Sequence, residues 1–255
     1  MNNSVNPLID HSNKMIGLAN ELYGSCSRKR NKVKSHYRFI LSAYFARSLE
    51  LFESIILLIQ DNRVTDAGVL LRSFSNLIMN LVYIDKDKEE RATLLLFDYA
   101  TQQLKLYKKS KEFANSIGKS QEADRHIQQY EREKSKLRKI IQAKYPGVMP
   151  WDKITILDKS KVNQEMQYIY DLIYADLSRF EHHDFTASHA YVDPDTCDPI
   201  LKSGAHRTSP IMNQASILYF ANNFLGIVME FFNIEYKLSW KPKIDEMAKI
   251  LLSFL

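Results

Sequence analysis

The chain has 255 residues, with 35 Lys and Arg against 30 Asp and Glu for a formal charge of +5, and its pI is near 9.0. Seven Gly and seven Pro are few for this length, which favours long helices over the turn-rich connections of all-β folds. Cys26 and Cys197 cannot build a disulfide framework or a structural zinc site, and the modest basic excess permits a nucleic-acid partner without requiring one.

Residues 1–6 lack the basic, apolar and small-residue succession of a signal peptide, and the longest unbroken apolar run, 55–59, is far short of the roughly 20 residues of a membrane span. A soluble protein of a reducing, cytoplasmic compartment is expected, with no membrane partner. Basic residues concentrate at 28–34 and 134–144, as two solvated helix ends or as a nucleic-acid patch.

In chain order, Ile9, Met15, Ile16, Ala19 and Leu22 predict an amphipathic helix over 7–23, with Gly24 and Ser25 as its stop. Phe39, Ile40, Ala43, Leu49, Phe52, Ile55, Ile56 and Ile59 predict a long helix over 34–60, buried around much of its circumference. Thr65 stands where an N-cap belongs, with Asp66 in the first turn of a third helix that runs to Ile84. After the charged connection 85–88, a fourth helix is predicted over 94–113 and stopped by Gly118. Its Tyr99, Gln103 and Tyr107 mark an amphipathic boundary.

The segment 120–144 is highly charged, yet Ile127, Tyr130, Lys134, Leu137 and Ile141 trace a thin seam, as in an edge helix or a projecting arm. An irregular stretch around Pro146-Gly147 and Pro150-Trp151 follows. Met166, Ile169, Ile173, Leu177 and Phe180 predict a helix over 164–181, and the Pro-rich 184–210 reads as a long ordered loop. Helices over 213–232 and 244–255 end the chain. With no repeat, strand alternation or Gly-rich phosphate loop, the expectation is all-α: one bundle of about seven to nine helices spanning 1–255, with no cofactor motif.

Two polar stripes interrupt the apolar helices. Arg72, Asn76 and Asn80 recur every four residues with Tyr83 a turn further on, and Tyr174, Ser178 and His182 do the same. If the stripes face each other they form a cluster that must be internally hydrogen-bonded or open to water, because a buried Arg or Asn is costly otherwise. The alternative is a stripe turned to solvent or a satisfied network that sets helix register.

His182 and His183 lie near Glu181, Asp184, His189 and His206, but adjacent helical residues diverge by about 100°, so no metal site is read there. Cutting RNA without a metal needs a proton-transfer group and a cation, which His and Arg supply. Arg30 stands six residues before His36, similar to the Arg-to-His spacing of HEPN ribonucleases.

The segment Leu70-Leu71-Arg72-Ser73 with Asn80-Leu81-Val82-Tyr83, and the later Tyr174-Ala175-Asp176-Leu177-Ser178 leading to His182, resemble the two motifs of a widespread bacterial, all-helical family of unknown function. The resemblance covers about 48–189 and implies a fold and candidate residues without a reaction. Where the family usually has Glu four residues after the Arg, this chain has Asn76. The bundle character is also similar, at the level of fold, to HEPN-type proteins of bacterial toxin and phage-defence systems.

Three readings follow. The first is a protein of a defence or stress system that binds a small anionic ligand or RNA between the stripes, with Arg72 on the anion, Asn76 and Asn80 orienting it, and Tyr83, Tyr174, Ser178 and His182 completing the site. The second is a metal-independent ribonuclease with Arg72 and His182 as catalytic residues. The third is a non-catalytic protein that forms a homo-oligomer through its long helices, with 120–144 as the partner surface.

Overall fold

In the computed structural model, which describes residues 5–27, 35–118, 120–181 and 211–254, the amphipathic patterns become packed helices, with no strand among the described residues. The first four are α1 (Val5–Ser27), α2 (His36–Gln60), α3 (Val64–Asp85) and α4 (Lys88–Ser116). Then come α5 (Ser120–Lys144), a 3₁₀ turn (Trp151–Lys153), α6 (Ile156–Ser160) and α7 (Gln164–Ile169). A π-helical turn (Tyr170–Tyr174) joins α7 to α8 (Ala175–Glu181), and α9 (Gln214–Glu235) and α10 (Lys241–Leu252) complete the fold. The loop expected over 184–210 lies outside the described residues.

Of the element ends that differ from the sequence expectation, four have an evident physical cause. Helix α1 runs through Gly24 because Cys26, fully buried, lies beyond it; that burial outweighs the roughly 1 kcal/mol a mid-helix Gly costs. Thr65 does not cap α3, which begins at Val64, and is itself buried in the first turn. Helix α4 starts well before its apolar pattern, where Glu89 and Glu90 favour the positive helix end and Arg91 pairs with Asp87 at 2.6 Å. Pro242 opens α10 ahead of its apolar stripe. Gly118 takes a left-handed φ of +71° just past α4, as a chain-reversing glycine must.

Helices α2, α3 and α9 form the centre. Phe45 of α2 and Phe232 of α9 lie 4.4 Å apart between ring centroids, and Phe74 of α3 meets Phe224 of α9 edge-on at 5.4 Å; all four are buried. Helices α1 and α10 cover α9, the α6–α8 segment covers α3, and one continuous apolar cluster joins them. By length and composition α3 and α9 could each cross a membrane, but 67% and 50% of those windows are buried within the bundle. Counting only unbroken apolar runs missed this, because Arg72 and the two asparagines interrupt α3 without making it polar on average.

At one end of the bundle four helix termini meet over a charged cluster. Glu235, at the end of α9 where a carboxylate opposes the helix dipole, accepts from Arg38 at 2.8 Å and from Lys88 at 3.2 Å. Tyr37 donates to Asp85 at 2.7 Å, and burial together with that carboxylate pushes its hydroxyl pKa up. Glu89 of α4 accepts from the Ser35 hydroxyl and from the backbone N–H of His36, so it stabilises the N-terminus of α2.

Helix α5 folds back along α4 as an antiparallel hairpin. Its far part is sealed by Ala100, Leu104, Ala123 and Leu137, which do not belong to the main core. The Tyr99 and Tyr107 stripe is the hairpin seam: Tyr107 stacks on His126 at 4.6 Å and on Tyr130 at 5.8 Å, and Tyr99 meets Tyr130 at 6.1 Å. Replacing Phe45 with Ala should lower unfolding free energy by about 3–5 kcal/mol in a denaturant titration. Phe39→Ala, at a position 63% exposed on the same helix, should stay within roughly 0.5 kcal/mol.

Candidate functional site

Arg72, Asn76, Asn80 and Tyr83 emerge partly exposed along α3 while Leu71, Phe74, Leu77, Ile78 and Met79 are buried. The α6–α8 segment packs over that stripe. Local chemistry places it there. Thr155 and Asp158 cap α6 reciprocally, with the Asp158 carboxyl pKa held low by the Thr155 hydroxyl, and Asn163 caps α7 through the N–H of Met166. Close approach is possible because Gly68 presents no side chain: a Cβ there would fall 2.5 Å from Met212 and 3.6 Å from Leu177.

The π turn decides which residues of the covering helix face α3. In a regular helix a four-residue spacing drifts by about 40° per step, and widening one turn to i→i+5 bonding removes that drift. Ile169, Ile173 and Leu177 therefore stay buried together. On the neighbouring edge Tyr170 stacks on Tyr174 at 5.4 Å, and the Ser178 hydroxyl donates to the Tyr174 carbonyl at 2.7 Å.

The structure brings Arg72 to Tyr174 and Ser178. Arg72 Nε donates to Ser178 Oγ at 2.8 Å and Nη2 to Tyr174 OH at 3.0 Å, with the guanidinium carbon 4.5 Å from the Tyr174 ring centroid. The Tyr174 oxygen accepts from Arg72, and no described residue takes its own proton. One to two turns along α3, Asn80 Nδ2 donates to Asn76 Oδ1 at 3.2 Å, while Asn80 Oδ1 is buried with no donor among the described residues.

Tyr83 joins a different group. Arg91 lies over its ring at 3.9 Å and donates to its carbonyl at 2.6 Å; on the other side Tyr83 meets Trp151 at 5.8 Å, and Lys159 Nζ sits 3.9 Å above the Trp151 ring. Lys159 is 7% exposed, and burial lowers its amine to about 8 against a weaker opposing pull from Asp98. The seam thus has a cation on aromatic rings at either end of an amide pair, with Arg72 and Asn80 about 12 Å apart along the helix axis.

His182 lies outside the described residues, as do His183, His189, His206, Cys197 and Arg30, so of the proposed Arg72–His182 pair only Arg72 is placed. His36 serves the α2–α4 contact, its Nδ1 2.8 Å from Thr93 Oγ1. Among the described residues no three metal-binding side chains come together. Sequence spacing did not identify Tyr170, Arg91, Trp151 or Lys159. Trp151 stood in an unstructured-looking stretch and Lys159 on a helix too short for periodicity; the Thr155–Asp158 capping pair was the available signal for α6.

A cavity of about 610 Å³ lies elsewhere, against α1, α7 and α9. Its lining is mainly Tyr168, Tyr219, Phe220, Phe224 and Phe254, with Glu165 the charged member. It lacks the converging donors of the seam, so chemistry favours the seam over size.

Lys159 gives the seam a pH signature. Its folded pKa is below the ordinary 10.5, so between about pH 8 and 10.5 the unfolded chain binds the extra proton and stability rises with pH. Lys159→Met should therefore stabilise the protein most near pH 7, and its advantage over the wild type should shrink as pH rises through that window. Unfolding titrations of both proteins at several pH values measure the difference.

Comparison with curated proteins and with solved structures gives no match. A family model does match, over residues 38–199, which is more than half of the chain and encloses both stripes but neither α1, α9 nor α10. The chain belongs to the family described as a family of unknown function, DUF5677.

Proposed function

We propose that this protein binds a small phosphate-bearing anion in the seam between α3 and the α6–α8 segment, anchored by Arg72. The carrying observation is the Arg72–Tyr174–Ser178 constellation: two guanidinium N–H groups are oriented by hydroxyl oxygens on the facing helix, which fix the plane of the guanidinium in the seam. Tyr174 keeps a proton to donate beside it. A network that served only helix register would close on itself, whereas among the described residues neither the proton of the half-buried Tyr174 nor the buried Asn80 Oδ1 has a partner.

Ligand-induced stabilisation tests the proposal, since binding to the folded state alone raises the unfolding midpoint. Orthophosphate, pyrophosphate and ATP at millimolar concentration should raise the thermal midpoint of the wild type for at least one of the three. Arg72→Gln should weaken that ligand by about tenfold or more, the loss of a charge-assisted contact, and Tyr174→Phe by roughly fivefold. Equal shifts in all three proteins would remove the seam from the reading. Labelled RNA in the same incubations separates binding from cleavage. Cleavage lost in both Arg72→Gln and His182→Ala would replace the binding reading with metal-independent phosphodiester hydrolysis.

A further inference from the structure

The α4–α5 hairpin carries a second, separate surface. At about 100° per residue, the ridge of α5 directly opposite the buried Ala123 and Leu137 consists of Gln121, Arg125, Gln128, Arg132, Lys136 and Lys139, all exposed. No acidic residue falls within about 60° of the ridge line. The acids lie on the flanks, and two of them are drawn across to α4: Glu131 pairs with Lys108 at 2.8 Å and Asp124 with Lys111 at 2.7 Å, while Glu122 and Glu133 stay exposed on the other flank. The four ridge cations make no ion pair among the described residues, and Arg125 reaches back to its own helix, to the Gln121 carbonyl.

We infer that this ridge binds the phosphate backbone of a nucleic acid. Four cations spread over the fourteen residue steps from Arg125 to Lys139 span about 21 Å, roughly the axial rise of six nucleotides on one strand of a duplex. The interleaved glutamines add amide donors that suit phosphate and sugar oxygens. No large apolar side chain occupies the ridge, and the helix's apolar face is closed against α4, so insertion into a lipid surface is disfavoured. The absence of an aromatic on the ridge also predicts binding that follows the backbone and ignores sequence.

The salt dependence of binding tests this directly. Fluorescence anisotropy of a labelled RNA of roughly 20 nucleotides, single-stranded and as a duplex, is followed between about 50 and 200 mM salt. Four phosphate contacts should give a log–log slope of about −3 for the single strand and about −4 for the duplex. The double variant Arg132→Gln, Lys139→Gln should reduce that slope by nearly half and weaken binding at low salt by about tenfold or more. Its melting temperature should match the wild type, since both side chains are exposed.

Arg72→Gln should keep the wild-type slope, which separates the ridge from the seam. An unchanged slope in the ridge variant, an equal loss in Arg72→Gln, or tighter binding to anionic phospholipid vesicles than to RNA would each overturn the inference. So would an absence of RNA binding at low salt.

Discussion

Everything in this fold depends on the enclosure of α3. Helices α2 and α9 bury its apolar faces through Phe74, Leu71 and Ile78, and the start of α4 and the α6–α8 segment close around the remainder. A helix so enclosed that also carries Arg72, Asn76 and Asn80 must find partners for them along one line, because desolvated amide and guanidinium groups are expensive when unpaired. The covering segment answers that demand unevenly: Tyr174 and Ser178 meet Arg72, the asparagines meet each other, and one acceptor is left over.

The covering segment is itself built for placement. Two short helices started by side-chain caps, a π turn that cancels rotational drift and a glycine that lets chains approach set Tyr174 and Ser178 at hydrogen-bonding distance from Arg72. Asn76 occupies the place where the family resemblance implies Glu. A carboxylate one turn from Arg72 would compete for the guanidinium, whereas the amide accepts from Asn80. Charge is handled differently at the bundle end, where Glu235 gathers Arg38 and Lys88 and closes the cluster. On the hairpin, cross-helix pairs take up Glu131 and Asp124 on one flank and leave a cationic ridge beside them.

The long helices were legible because each carries an apolar stripe long enough to define its period, and 120–144 was predicted with the bounds of α5. Ends were less legible: Gly24 and Thr65 obeyed burial and not their local preference, since tertiary contacts outweigh a propensity of about 1 kcal/mol. Of the seam, Arg72, Tyr174 and Ser178 came from spacing, whereas Lys159, Trp151 and Arg91 did not, because their association joins three separate segments.

By itself, then, the sequence determined the all-α class, the central helices, the hairpin and the existence of two polar stripes, because each is a periodicity within one segment and follows from the 3.6-residue turn. Tertiary structure alone decided that Arg72 meets Tyr174 and Ser178, that Tyr83 turns away to Arg91 and Trp151, and that Asn80 Oδ1 is buried with no donor among the described residues. The reason is that such pairings depend on the relative rotation of two packed helices. Here a single π turn sets that rotation, through backbone bonding that no spacing of side chains announces.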